Sequence, residues 1–118
     1  MSAAMGPAEL AGGAAEFVRS LNHALYAGFP YPGDAYSTVG ELSRLASMLP
    51  QALTMIRGAV EKLEQAGGLR SDRDTLADDL ASAYEGLEQA AADAQTLYGS
   101  LSRAHAGLSH IGARDGAQ

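Results

Sequence analysis

The chain has 118 residues, 14 acidic against 8 basic side chains, a formal net charge of -6 and no cysteine. That length suits one domain, and 47% apolar residues is ordinary for a globular fold. The missing cysteine excludes disulfides, thiol nucleophiles and thiolate zinc sites, while the acidic balance argues against sequence-independent nucleic-acid binding.

The opening stretch has no basic residue before Arg19 and no long apolar core, so an export signal of the usual kind is not expected. No window nears 18 apolar residues without a charge, which excludes a membrane span. The expectation is a cytoplasmic protein. Its ends, 1–7 and 112–118, read as flexible around a single helical domain, 8–111.

Three segments carry a 3.6-residue apolar rhythm and none alternates like a strand. The first helix is expected at about 8–26, after Gly6 and Pro7, with Leu10, Ala14, Phe17, Val18, Leu21 and Leu25 on one face. Gly12 and Gly13 each cost roughly 1 kcal/mol relative to alanine, so a firm start is expected only from about Ala14. The connection from Ala27 to Tyr36 holds Pro32-Gly33, which suits the centre of a type II turn, and Asp34, which can cap the second helix.

The second helix is expected at 36–66. Its seam is Val39, Leu42, Ala46, Leu49, Leu53, Ile56, Val60 and Leu63, at alternating steps of three and four. Thr38 and Glu41 have capping-box spacing, and Ala66-Gly67-Gly68 supplies a stop. Pro50 costs about 3 kcal/mol or breaks the helix. Because the seam keeps phase from Leu49 to Leu53, one helix kinked at Pro50 is favoured over two.

The third helix is expected at 72–111, about 40 residues or roughly 60 Å long. Ser71-Asp72-Arg73-Asp74 looks like its capping box, with Asp78 and Asp79 favourable near the N-terminal end of the dipole. Its seam is Leu76, Leu80, Ala83, Leu87, Ala90, Ala94, Leu97, Leu101, Ala104, Leu108 and Ile111. Alanine, 24 residues of the chain, takes several of these places and lets a neighbouring backbone come close. The fold expected is all-α: a three-helix antiparallel bundle with a long heptad-patterned hairpin. The third helix should outreach the second by about nine residues. The overhang, Leu97, Leu101, Ala104, Leu108 and Ile111, is then an association seam for a homodimer with a four-helix core, or for docking onto a larger protein partner.

Four of the seven aromatic residues, Tyr26, Phe29, Tyr31 and Tyr36, fall around the Pro-rich connection, with Asn22 and His23 nearby. They read either as a structural plug closing the bundle or as a partner-binding hot spot. His105 and His110 are five apart and lack the Glu-x-x-His spacing of helical di-iron sites, so no metal is expected. His105 flanks the seam and suits a buried hydrogen bond or a mild pH-sensitive contact. The acidic cluster Asp72, Asp74, Asp78 and Asp79 reads first as helix N-terminal stabilisation and second as a docking patch for a basic partner. Arg103 and Arg114, with the two histidines, form at most a weak basic tip. No nucleophile elbow or phosphate loop is present, so neither a cofactor nor catalysis is expected.

Tyr84-Glu85-Gly86-Leu87-Glu88 matches the Tyr-x-x-x-Asp/Glu pattern of secreted WXG100 proteins of type VII export, which the size and hairpin layout also resemble. The Trp-x-Gly turn of that family is missing; Ala66-Gly67-Gly68-Leu69 stands in its place. Leu21-Asn22-His23-Ala24, Tyr31 to Tyr36 and Leu49-Pro50-Gln51 resemble small helical proteins of unknown function from Streptomyces-type actinomycetes. That resemblance implies an actinobacterial cytoplasmic protein carried on a mobile element, and no activity. The sequence thus points to a non-enzymatic interaction or assembly module, with a secreted type VII substrate as the alternative.

Overall fold

The computed structural model describes residues 5–114. Among them are three α-helices, α1 (Pro7–Ala24), α2 (Pro32–Gln65) and α3 (Leu76–Leu108), with a 3-10 turn at Leu25–Ala27 and no strand. The fold is all-α. The chain divides into two compact units, Met1–Tyr31 and Pro32–Gln118. The three expected helices are all present: α2 and α3 form an antiparallel hairpin in the second unit, and α1 belongs to the first. Of the ends expected to be flexible, residues 1–4 and 115–118 lie outside the described residues.

In the first unit, α1 starts at Pro7, whose missing N–H costs nothing at the first helical position. The Gly6 N–H donates to the Glu9 carboxylate at 3.1 Å, half of a capping box. The helix runs unbroken through Gly12 and Gly13, so its start lies seven residues before the position expected from the glycine penalty. None of its residues is buried, and Phe17 is 80% exposed.

In the second unit, α2 begins at Pro32, not at residue 36. The turn expected at Pro32-Gly33 does not form. The fixed φ and absent donor of proline suit a helix N-terminus equally well, and the helix takes it. Thr38 therefore caps nothing: its hydroxyl donates to the Asp34 carbonyl at 2.7 Å, one turn back inside the helix. The helix is continuous through Pro50. It stops at Gly67, where φ is 73°, with the Gly68 N–H reaching the Leu63 carbonyl and the Gly67 N–H the Glu64 carbonyl. That pair of bonds is a Schellman stop, and the left-handed φ is why a glycine stands there.

α3 begins at Leu76, four residues later than expected. Asp74 adopts a left-handed φ of 59°, so residues 72–74 cannot be helical. The Ser71 hydroxyl accepts the Arg73 N–H and donates to the Asp79 carboxylate instead of capping a helix at 72. α3 ends at Leu108, leaving Ile111 beyond it. With a later start and an earlier end, α3 has 33 residues against 34 in α2. The predicted nine-residue overhang does not exist.

Cross-helix pairs give the register. Tyr36 meets His105, Ser43 meets Ser102, Arg57 meets Glu88 and Glu64 meets Tyr84. Numbers rise along α2 as they fall along α3, so the hairpin is antiparallel. At its centre the contact is made by small side chains: Ala46, Ala94 and Ser43 are buried, with Leu80 the one large residue among the buried ones. Small residues permit close approach but remove little apolar area from water.

Candidate protein-interaction surface

The heptad seam of α2 consists of two columns of residues spaced by seven. One column, Val39, Ala46, Leu53 and Val60, faces α3 and is buried or half-buried throughout. The other, Leu42, Leu49, Ile56 and Leu63, contains no buried member; Ile56 is 49% and Leu63 53% exposed. α3 divides the same way. Leu80, Leu87, Ala94, Leu101 and Leu108 close the hairpin, whereas Ala83, Ala90, Leu97 and Ala104 flank it, Leu97 at 47% exposure.

At about 100° per residue, each flanking column lies roughly 50° round its helix from the closing column, in the same rotational sense. Because the helices run antiparallel, equal rotation puts both flanking columns on one side of the hairpin. That side is an apolar face of four layers, about three heptads long, with no partner in its own unit.

The opposite side is polar and paired. Arg57 bonds Glu88 at 2.6 Å, lies 4.0 Å from Glu61, and places its guanidinium 5.0 Å from the centre of the Tyr84 ring. The Tyr84 hydroxyl donates to the Glu64 carboxylate at 2.8 Å. Burial between the helices, and then the Glu64 carboxylate, push the Tyr84 hydroxyl up to about 12. Ser43 and Ser102 lie 3.4 Å apart between their hydroxyls. An open groove of about 420 Å³ beside Pro50, Thr54, Arg57 and Gln95 belongs to this side. The pattern is a hairpin with polar cross-links on one side and partly exposed aliphatic surface on the other.

The aromatic residues do not form one cluster. Tyr36 belongs to the hairpin and stacks on His105, with ring centroids 4.0 Å apart. Tyr26, Phe29 and Tyr31 belong to the first unit with Asn22 and His23, all exposed there. Tyr26, 90% exposed, meets the His23 ring edge-on at 6.1 Å. In the association seam, Leu101 and Leu108 are half-buried against α2, so they close the hairpin rather than extend past it. Leu97 and Ala104 remain exposed on the apolar face, and Ile111 is exposed beyond the helix.

Tyr84 and Glu88 are both spent on contacts with α2. Asp79 gathers its neighbours: Ser71 and Thr75 donate to it, and the Arg73 guanidinium pairs with it. The Ser71 hydroxyl first, and the Arg73 and Thr75 contacts after it, hold the Asp79 carboxyl below its ordinary value. Among the described residues no group of three His, Asp or Glu side chains is placed to hold a metal ion, and no helix is long and apolar enough to cross a membrane. Sequence reasoning misses Arg57. Its spacing to Glu61 is visible along the chain, but Glu88 and Tyr84 become its neighbours only through the register.

Compared with family models, curated proteins and solved structures, the chain matches none.

Proposed function

We propose that the protein is a non-enzymatic helical assembly module that works by docking its hairpin onto another protein surface. The observation that carries this reading is the division of the heptad seam. Half of the seam closes the hairpin; the other half, from Leu42 to Leu63 on α2 and Ala83 to Ala104 on α3, has no buried member, and Ile56, Leu63, Ala83, Leu97 and Ala104 are exposed. Exposed apolar stripes of this length mark interaction surfaces, because leaving them in water forfeits about 25 cal/mol per Å² that docking recovers. The overhang expected from the sequence no longer supports association, since α3 has none.

Action in the cytoplasm is part of the proposal. The type VII alternative loses support from the pairing of Tyr84 with Glu64 and of Glu88 with Arg57, which gives both residues of the matched pattern a structural duty. Affinity capture with the full chain, beside a variant carrying Ile56→Glu and Leu97→Glu, tests the reading. Capture of a partner, whether another protein or a further copy, that the double variant loses supports it. Identical capture by both chains, or capture of nothing, overturns it.

A further inference from the structure

We infer that the partner on the apolar face is a second copy of this chain, packed so that α2 of one protomer lies against α3 of the other. The inference rests on the assembly reading and goes further, to the occupant and its register.

The hairpin's own contacts set the levels. Ser43 opposite Ser102 and Arg57 opposite Glu88 fix which turn of α2 stands beside which turn of α3. Stepping from those pairs, Leu42 stands level with Ala104, Leu49 with Leu97, Ile56 with Ala90, and Leu63 with Ala83. The α2 member is a large aliphatic at every level. The α3 member is alanine at three of the four levels. The face therefore consists of a ridge of large side chains on α2 running beside a shallow trough on α3.

Such a face is complementary to itself under one arrangement of two-fold symmetry. If the axis runs parallel to the helices, each ridge falls into the trough of the other protomer, and the levels are preserved. Leu42 then meets the partner subunit's Ala104, and Ile56 meets the partner subunit's Ala90. Each layer of the four-helix core holds two α2 side chains on one diagonal and two α3 side chains on the other, which is how large and small residues fill a bundle without voids. An axis across the helices would set α2 against α2, crowding leucine on leucine and leaving alanine facing alanine. The strict seven-residue spacing of both columns is that of helices in extended side-by-side contact.

Sedimentation of the full chain at micromolar concentration should give twice 12.1 kDa. Ile56→Glu and, separately, Leu63→Glu should sediment at half the wild-type mass with helical circular dichroism retained, since both side chains are already half exposed in the hairpin. Met55→Glu, 64% exposed on the far side of α2, should remain dimeric. The absence of cysteine allows a direct test of register. Chains carrying Ile56→Cys mixed with chains carrying Ala90→Cys should give the mixed product with a short bis-maleimide. A monomeric wild type overturns the second-copy inference, while loss of partner capture by the face variant would still support the broader assembly reading. A dimer unaffected by both glutamate variants overturns the face. Efficient cross-linking of Ile56→Cys to itself, without the mixed product, overturns the arrangement.

Discussion

Tyr36 and His105 stack ring on ring at the open end of the hairpin, their centroids 4.0 Å apart and their planes 20° from parallel. The contact depends on a third residue. A Cβ built on Gly40 would lie 2.8 Å from His105 Nε2, closer than such atoms pack, so the imidazole occupies space that only glycine leaves free. The stack joins the first turns of α2 to the last turns of α3, where no hydrogen-bonded loop ties the helices together.

Gly40→Ala should therefore destabilise the hairpin, although alanine is the better helix former. Displacing the imidazole from its stack costs about 1–3 kcal/mol, against up to about 1 kcal/mol gained from helix propensity. Gly99→Ala, with nothing within 4 Å of its added Cβ, should instead stabilise by up to about 1 kcal/mol. Urea denaturation of the two variants should move the midpoint in opposite directions; equal gains would show that the stack does not constrain Gly40.

The Tyr84 hydroxyl, pushed up to about 12 from 10.0, ties stability to alkaline pH. The folded chain holds this proton where the unfolded chain has released it. The contribution is complete below pH 10 and is lost as the pH rises through about 12. Phenolate absorbance of the wild type, with the Tyr84→Phe signal subtracted, should show this late step. Glu64→Gln should bring it earlier, because a neutral amide no longer opposes the phenolate.

Asp79 ties stability to acid in the opposite sense. Its folded value lies below the ordinary 3.8, first through the Ser71 hydroxyl, so its contribution is present above that pH and lost as the pH falls below it. Asp79→Asn should lower stability at neutral pH and flatten the acid limb of the unfolding curve below about pH 4. Ser71→Ala should reproduce part of both effects. An acid limb identical in Asp79→Asn and wild type would show that the contact does not stabilise the folded chain.

Pro50 removes one helical hydrogen bond from a helix that nonetheless continues through it. Pro50→Ala restores the donor facing the Ala46 carbonyl and should stabilise by about 1–3 kcal/mol, less whatever packing the ring supplies in the groove beside Leu53. Thermal unfolding monitored by circular dichroism reads the change. A lower midpoint in Pro50→Ala would mean that the ring's packing outweighs the lost bond.

Much of the fold is legible in the sequence because helix periodicity is written in neighbouring residues. The phase kept from Leu49 to Leu53 correctly indicates one helix across Pro50, and Gly67-Gly68 correctly marks its end. Helix starts are harder. Pro32-Gly33 serves a turn and a first helical position equally well, and only the packed hairpin selects one. Ser71 and Asp74 have cap chemistry, but the left-handed φ at Asp74 and the pull of Asp79 on Ser71 divert them. The late start of α3, with its early end at Leu108, removes the overhang on which the sequence-based case for association rests.

The sequence alone determined that the chain is helical, where its two long helices carry apolar residues, and that these keep a seven-residue spacing. Those properties depend on contacts within a few residues, and the spacing alone makes them visible. Which column of each seam is enclosed depends on how far each helix is rotated towards the other, and that is a long-range property. Only the tertiary structure decided that Ala46 and Ala94 close the hairpin while Ile56 and Leu97 face outwards. Close approach at the small residues sets that rotation, and the polar pairs Ser43–Ser102 and Arg57–Glu88 hold it from the other side.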